Sequence, residues 1–219
     1  MKTRLMGVNL LDELARPELA GLRREFETRT FAKGAWVFQP HHPDNLVFVV
    51  ARGRARLFIA YDEKEFTLSI LEPGDVYATH TRASVEALED LDLLVIPTER
   101  FAELLADHPA LTRTMVHVLG DILRSSLGII HSLVFKDISR RVTELLLATV
   151  REHGEKTAEG WNVRLAMTTE QMASIVGSTR QSVSEVFSRL EREGLLRRQG
   201  RGAWLVRDLD ALERRVCLD

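Results

Sequence analysis

The 219-residue chain carries a single cysteine, Cys217. No intramolecular disulfide can form, and a cysteine-ligated iron–sulfur cluster or a structural zinc site built from several thiolates is excluded with it. An excess of one charge is also missing: 30 Lys and Arg stand against 32 Asp and Glu, a formal net charge of −2. Residues 137–219 hold 14 basic against 13 acidic side chains, and residues 1–136 hold 16 against 19. Affinity for a polyanion must therefore come from local arginine placement rather than from bulk charge. No apolar run approaches the ~20 residues of a membrane span. The opening MKTRLMGVNLL lacks the apolar core and cleavage site of a signal peptide. A soluble, cytoplasmic protein with no membrane partner is expected. Gly-x-Ser-x-Gly, His-Glu-x-x-His and a phosphate-binding glycine loop are absent, which argues against an enzyme, and there is no internal repeat.

What the chain does contain is most explicit in residues 168–196, TTEQMASIVGSTRQSVSEVFSRLEREGLL. Thr168 is a natural N-cap for a helix from about Thr169 to Val176, with Met172, Ile175 and Val176 on its buried side. Gly177 permits a turn, and Ser178 or Thr179 can cap a second helix. Val183, Val186, Phe187 and Leu190 then recur at the spacing of a core-facing stripe. This leaves Ser178, Arg180, Gln181, Ser184 and Glu185 on the open face near the helix start, where a recognition helix meets base edges in the major groove. Arg can bond guanine in a bidentate way, Gln can do so with adenine, and Glu can accept from cytosine. A helix-turn-helix that reads double-stranded DNA is the expectation. Arg197, Arg198, Gln199, Gly200, Arg201 and Gly202, followed by apolar Ala203 to Val206, predict two short strands around a turn. Arg197, Arg198 and Arg201 on this wing would meet phosphates, adding affinity without sequence information.

The N-terminal half reads as a β domain following the helical stretch LLDELARPELAGLRREF. Short apolar runs at 36–38, 46–50, 55–60, 66–71 and 93–96 alternate with Lys33-Gly34, the segment 40–44, Gly53, Asp62-Glu63 and Pro73-Gly74-Asp75, a pattern of sandwiches and barrels. One long helix, roughly Pro109 to Phe135, follows. Met115, Leu119, Ile122, Ser126, Ile129 and Leu133 recur in alternating steps of four and three, predicting a parallel two-stranded coiled coil and a homodimer. A dimer would set two recognition helices one DNA turn apart on a two-fold symmetric site. Phe135-Lys136-Asp137 reads as a hinge, with Asp137 as the next N-cap.

This order of parts resembles the CRP/FNR family of bacterial regulators across nearly the whole chain. The markers are Lys33-Gly34, Gly53, Pro73-Gly74-Asp75, Phe135-Lys136-Asp137 and the run Ser178 to Ser184. The resemblance implies an α+β protein. Residues 1–108 form a β-roll sensor domain of the cyclic-nucleotide-binding type, 109–136 a dimerisation helix and hinge, and 137–219 a winged helix-turn-helix, with RNA polymerase as a further partner. The stretches Asp62 to Leu68, Gly74 to Ala83, Val118 to Asp121 and Leu133 to Asp137 are similar to the CooA group of carbon-monoxide-sensing haem regulators. That likeness implies haem b as cofactor and CO as effector. It makes His80 the proximal ligand in the ferrous state and the α-amine of Met1 from the other subunit the distal ligand, which CO displaces. Val116, Leu119, Gly120 and Leu123 match the group's distal-pocket positions on the long helix, with Gly120 leaving room beside the iron. The sequence departs from the group at Ala78, where many members carry the cysteine that binds ferric iron, so a Cys-to-His redox switch is excluded here. A CRP/FNR regulator answering to a cyclic nucleotide or other effector, or a haem-free DNA-binding protein, remains the alternative. Gly74-Asp75 and Arg82-Ala83 match the Gly-Glu and Arg-Ser steps of a nucleotide site poorly.

Overall fold

The computed structural model describes residues 9–16, 19, 21–40, 43–62, 64–81 and 83–217. Helix α1 (Leu10–Leu14) begins at Asn9, whose side chain accepts from the Leu11 and Asp12 N–H groups. The helical stretch read from the sequence is shorter than expected. It breaks after Leu14, with Ala15 and Arg16 outside the helix, and a 3-10 turn spans Leu22–Glu25.

Eight strands follow: β1 (Glu27–Phe31), β2 (Trp36–Phe38), β3 (Leu46–Arg52), β4 (Ala55–Tyr61), β5 (Lys64–Leu71), β6 (Val76–Ala78), β7 (Ser84–Ala87) and β8 (Leu91–Pro97). They form two antiparallel four-stranded sheets, ordered β1-β8-β3-β6 and β2-β7-β4-β5. A shared core of Phe48, Leu57, Leu71, Leu93 and Ile96 lies between them. Strands β1, β6 and β7 escape the apolar pattern because β1 is a largely exposed edge and the other two span three and four residues. The Pro73-Gly74-Asp75 turn receives α1: Leu10 N–H donates to Gly74 O at 2.9 Å. Gly74 has φ +94°, and a Cβ there would lie 2.0 Å from Asn9 Oδ1.

Helices α2 (Thr98–Asp107) and α3 (Pro109–Phe135) follow. Leu111, Met115 and Val118 of α3 are buried in the β-roll core. This corrects the expected seam. Met115 belongs to the core and Ile122 packs partly against it, while Leu119 and Leu133 of the expected seam are exposed; the rest of the exposed apolar stripe lies one position later. It comprises Val116, Leu123, Leu127, Ile130 and Val134, with Leu119 and Gly120 between its first two members. Spaced residues also understate the helix's apolarity. Its most apolar stretch reaches a mean hydropathy of 1.4, enough by length and composition to cross a membrane, but its first half is anchored in the β-roll.

The chain divides into two compact units within α3, one reaching Ile129 and the other starting at Ile130. In the second, α4 (Ile138–His153), β9 (Glu155–Thr157), β10 (Gly160–Arg164), α5 (Thr169–Val176), α6 (Arg180–Arg192), β11 (Leu196–Gly200), β12 (Ala203–Val206) and α7 (Leu209–Cys217) enclose a core of Leu146, Val150, Val183, Leu190, Val206 and Leu212. Its sheet runs β11-β12-β10-β9.

Gly74→Ala combines backbone strain with displacement of the Asn9 cap. We expect a loss of about 2–3 kcal/mol, summing left-handed strain and a lost N-cap. Urea denaturation followed by circular dichroism checks it, and an unchanged midpoint would contradict the turn geometry.

Candidate DNA interface and effector site

The helix-turn-helix is built by local chemistry. Thr168 accepts from Gln171 N–H at 3.1 Å while Gln171 Oε1 accepts from Thr168 N–H at 2.8 Å, a reciprocal capping box at the start of α5. Gly177 ends α5 in the left-handed conformation at φ +65°, which a β-carbon would resist. Thr179, rather than Ser178, caps α6 by accepting from Ser182 N–H. Val183, Val186, Phe187 and Leu190 are all buried, which fixes the rotation of α6 about its axis. Arg180, Gln181, Ser184 and Glu185 are consequently exposed together, with Ser178 half-buried at the turn. Gln181 donates to Glu185 at 3.0 Å, and the Ser184 hydroxyl donates to Arg180 O. Among the described residues the Arg180 guanidinium has no partner.

The three wing arginines differ. Arg197 pairs with Glu159, and Arg198 lies over the Trp204 ring, 5.8 Å from its centroid. Arg201 stands exposed at the turn between β11 and β12.

Sequence reasoning missed Arg141. Asp137 caps α4 as expected, accepting from Arg140 N–H at 2.7 Å. The Arg141 guanidinium donates to Lys136 O at 2.7 Å, to Val176 O at 2.8 Å and to Gly177 O at 3.5 Å. One cation thus ties the hinge to the turn of the helix-turn-helix. The available signal was two arginines in a first helical turn, where the helix dipole disfavours cations unless they have other partners.

In the β-roll, Ala78 ends β6 opposite Val47, and the next three residues, Thr79–Thr81, form a 3-10 turn. His80, at its centre, is exposed, and among the described residues its ring has no partner. Thr81 Oγ1 donates to Ala78 O at 3.1 Å. Tyr77 packs against Phe48, and burial pushes its phenol above the usual range. On α3, in the same unit, Val116, Leu119 and Leu123 are 63%, 63% and 60% exposed, and a side chain built at Gly120 would meet open space. Ile59, 47% exposed, shares a sheet face with its cross-strand partner Phe66. The Met1 amine lies outside the described residues.

A β-roll, a long apolar helix and a winged helix-turn-helix define a DNA-binding regulator with a sensor domain. Residues 28–108 match the cyclic nucleotide-binding domain family and residues 140–215 the Crp-like helix-turn-helix domain family. The solved structure of a CooA double mutant from Carboxydothermus hydrogenoformans is 39% identical, covering 98% of this chain and 99% of its own, with a TM-score of 0.81. The reduced, Fe(II) CO-sensing protein from R. rubrum is 30% identical over 94% of this chain and 97% of its own, with a TM-score of 0.55. Among curated relatives, the cyclic AMP receptor protein of Thermus thermophilus is 27% identical over 95% of this chain and 97% of its length. The chain belongs to the CRP/FNR family of transcriptional regulators. Within that family its likeness to CooA extends over its whole length.

Arg141→Met keeps the aliphatic stem and removes three charge-assisted hydrogen bonds. We expect a loss of about 2–3 kcal/mol, with faster amide exchange at 177–181, read by hydrogen-exchange mass spectrometry. Unchanged exchange there would mean the strap does not hold the turn.

Proposed function

We propose that this regulator is a haem-dependent carbon-monoxide sensor that switches on sequence-specific DNA binding. The observation that carries the reading is His80: an imidazole with a free ring, presented on a turn of the same unit as a large exposed apolar surface on α3. Among the described residues no cluster of three or more His, Cys, Asp or Glu stands ready for a bare metal ion. Haem brings four nitrogen ligands of its own and asks the protein for a side-chain ligand and apolar surface; the exposed imidazole of His80 and the exposed apolar face of α3 support that reading.

Bound haem would supply an iron able to take a neutral gas. His80 would hold one face. Val116, Leu119 and Leu123 would line the other with hydrocarbon that suits CO, and Gly120 would keep space open beside it. In the CO-free protein the Met1 amine of the partner subunit would be the second protein ligand; an α-amine titrates at about pH 8, which leaves a neutral fraction able to bind. CO binding would release that amine and with it the N-terminal segment. Moving the equilibrium from 1:99 to 99:1 requires roughly 5.5 kcal/mol of differential affinity, shared between two sites per homodimer. The stripe toward the hinge, Leu127, Ile130 and Val134, would form that dimer's interface, and RNA polymerase would be engaged once the dimer sits on a two-fold symmetric site.

At the DNA, Arg180 would read a base edge, with Gln181, Ser184 and Glu185 beside it and Ser178 at the turn, while Arg197, Arg198 and Arg201 would meet phosphates. A cyclic-nucleotide reading has two observations in its favour, the match of residues 28–108 to the nucleotide-binding family and the likeness to the cyclic AMP receptor protein of Thermus thermophilus. Colourless protein after haem feeding, with DNA binding that responds to cyclic AMP, would establish it instead.

His80→Ala should abolish the six-coordinate ferrous spectrum and CO-dependent DNA binding, and the ferric wild type should give a nitrogen/nitrogen low-spin electron paramagnetic resonance signal because Ala78 carries no sulfur. A variant with an intact ferrous spectrum and CO response would remove His80 from the site.

Arg180→Ala should cost ~1–3 kcal/mol on the specific site and relax preference at one base pair. Arg201→Ala should weaken binding to all sequences alike and lower the salt slope by about one unit. Titrations against the operator and a scrambled duplex at two salt concentrations separate the two. Equal losses on both duplexes for Arg180→Ala would make it a phosphate contact.

A further inference from the structure

We infer that Thr79 is the positioning residue for His80. This rests on the haem reading above and goes beyond it to the residue that fixes the ligand in place. A ligand on a three-residue turn has no helix or strand of its own to hold it, so something must anchor the turn. Thr79 is 9% exposed, the most buried residue of the 3-10 turn, and its hydroxyl is bonded on both sides. Thr79 Oγ1 accepts from Leu46 N–H at 2.9 Å and donates to Asp44 O at 2.8 Å. Both partners lie where the chain enters β3, and next to them Asn45 O accepts from Thr98 N–H at 2.9 Å. The turn that carries His80 is therefore clamped to a central strand of the β-roll and, through Asn45, to the start of α2. The opposite side of the turn is closed by the Thr81 hydroxyl on Ala78 O at 3.1 Å.

The two ties differ in kind. Thr81 is exposed, and its bond competes with water. The Thr79 bonds are shielded, and losing the hydroxyl leaves the Leu46 N–H without its acceptor. With Thr79 in place, the imidazole projects from a backbone with one orientation. Without it the same ring samples many orientations, and a metal bond from His80 has to be formed against that freedom. Thr79 itself, pointing into the sheet, does not touch the ligand.

The test uses the full-length protein with added haem. Thr79→Val preserves shape and removes the hydroxyl; Thr79→Ser restores it. Transfer of haem to apomyoglobin should be at least tenfold faster for Thr79→Val and within about twofold of wild type for Thr79→Ser. The same pair is then compared in a His80→Gly background with imidazole supplied in solution, where the axial ligand is no longer tethered to the turn. There Thr79→Val should change haem loss by less than twofold. Equal effects in both backgrounds would make Thr79 a structural residue of the β-roll and overturn the assignment, as would a tethered Thr79→Val that holds haem like wild type. A haem-free readout accompanies these: hydrogen exchange at the Leu46 amide should be slow in apo wild type and at least tenfold faster in apo Thr79→Val. Fast exchange in the wild type would show that the clamp is not made. Wild-type protein that takes up no haem defeats the haem reading itself and this inference with it.

Discussion

The exposed apolar face of α3 is the constraint on which the rest depends. Its first half is locked into the β-roll by Leu111, Met115 and Val118, so the helix cannot rotate to hide its other side. Val116, Leu119, Leu123, Leu127, Ile130 and Val134 are left more than half exposed. Covering each is worth roughly 1.5–3 kcal/mol, far more than a soluble helix ordinarily leaves in water. In the proposed regulator two occupants share this face. A second copy takes the seam that runs toward the hinge, and the cofactor takes the stretch around Gly120. Adjoining stretches of one helix would then serve sensing and dimerisation, so a change at the effector site would reach the surface that sets the dimer.

Beyond the hinge, the second unit is arranged so that a small number of groups fix the reading head. The buried stripe from Val183 to Leu190 sets the rotation of α6, and Thr179 sets its start. Arg141 links the carbonyl of Lys136 to those of Val176 and Gly177, so the segment leaving α3 and the turn that launches α6 share one guanidinium. A change of hinge geometry therefore has a short hydrogen-bonded route to the recognition helix.

Much of this was legible in the sequence, for physical reasons that differ by element. The element bounds of the helix-turn-helix were readable because caps and turns are local: Thr168, Gly177 and Asp137 act within three or four positions of themselves, although Ala173 rather than the expected Ile175 joins Met172 and Val176 in the core. Strands with long apolar runs, such as β3 and β8, were readable, whereas β1, β6 and β7 depend on partners distant in sequence. The seam on α3 was misplaced in part, at Met115 and Ile122, because a heptad pattern cannot say which of two apolar faces the β-roll core will take. Met115 and Val116 are equally apolar, and only packing chooses between them. His80 stood out through family likeness, with nothing in its own neighbourhood to mark it. Thr79 and Arg141 bond to main-chain oxygens 33 to 36 positions away or across the hinge, contacts that leave no periodic trace.

The central claim is that a neutral gas bound in the sensor domain governs DNA binding by the other unit. The most direct measurement is fluorescence anisotropy of a labelled operator with haem-loaded, dithionite-reduced wild-type protein, titrated with CO while the Soret band is followed in the same cuvette. The account predicts that operator affinity and the Soret shift rise together with the same CO midpoint. A Soret shift that saturates while operator affinity stays constant, or tight operator binding by haem-free protein that CO leaves unchanged, would contradict it.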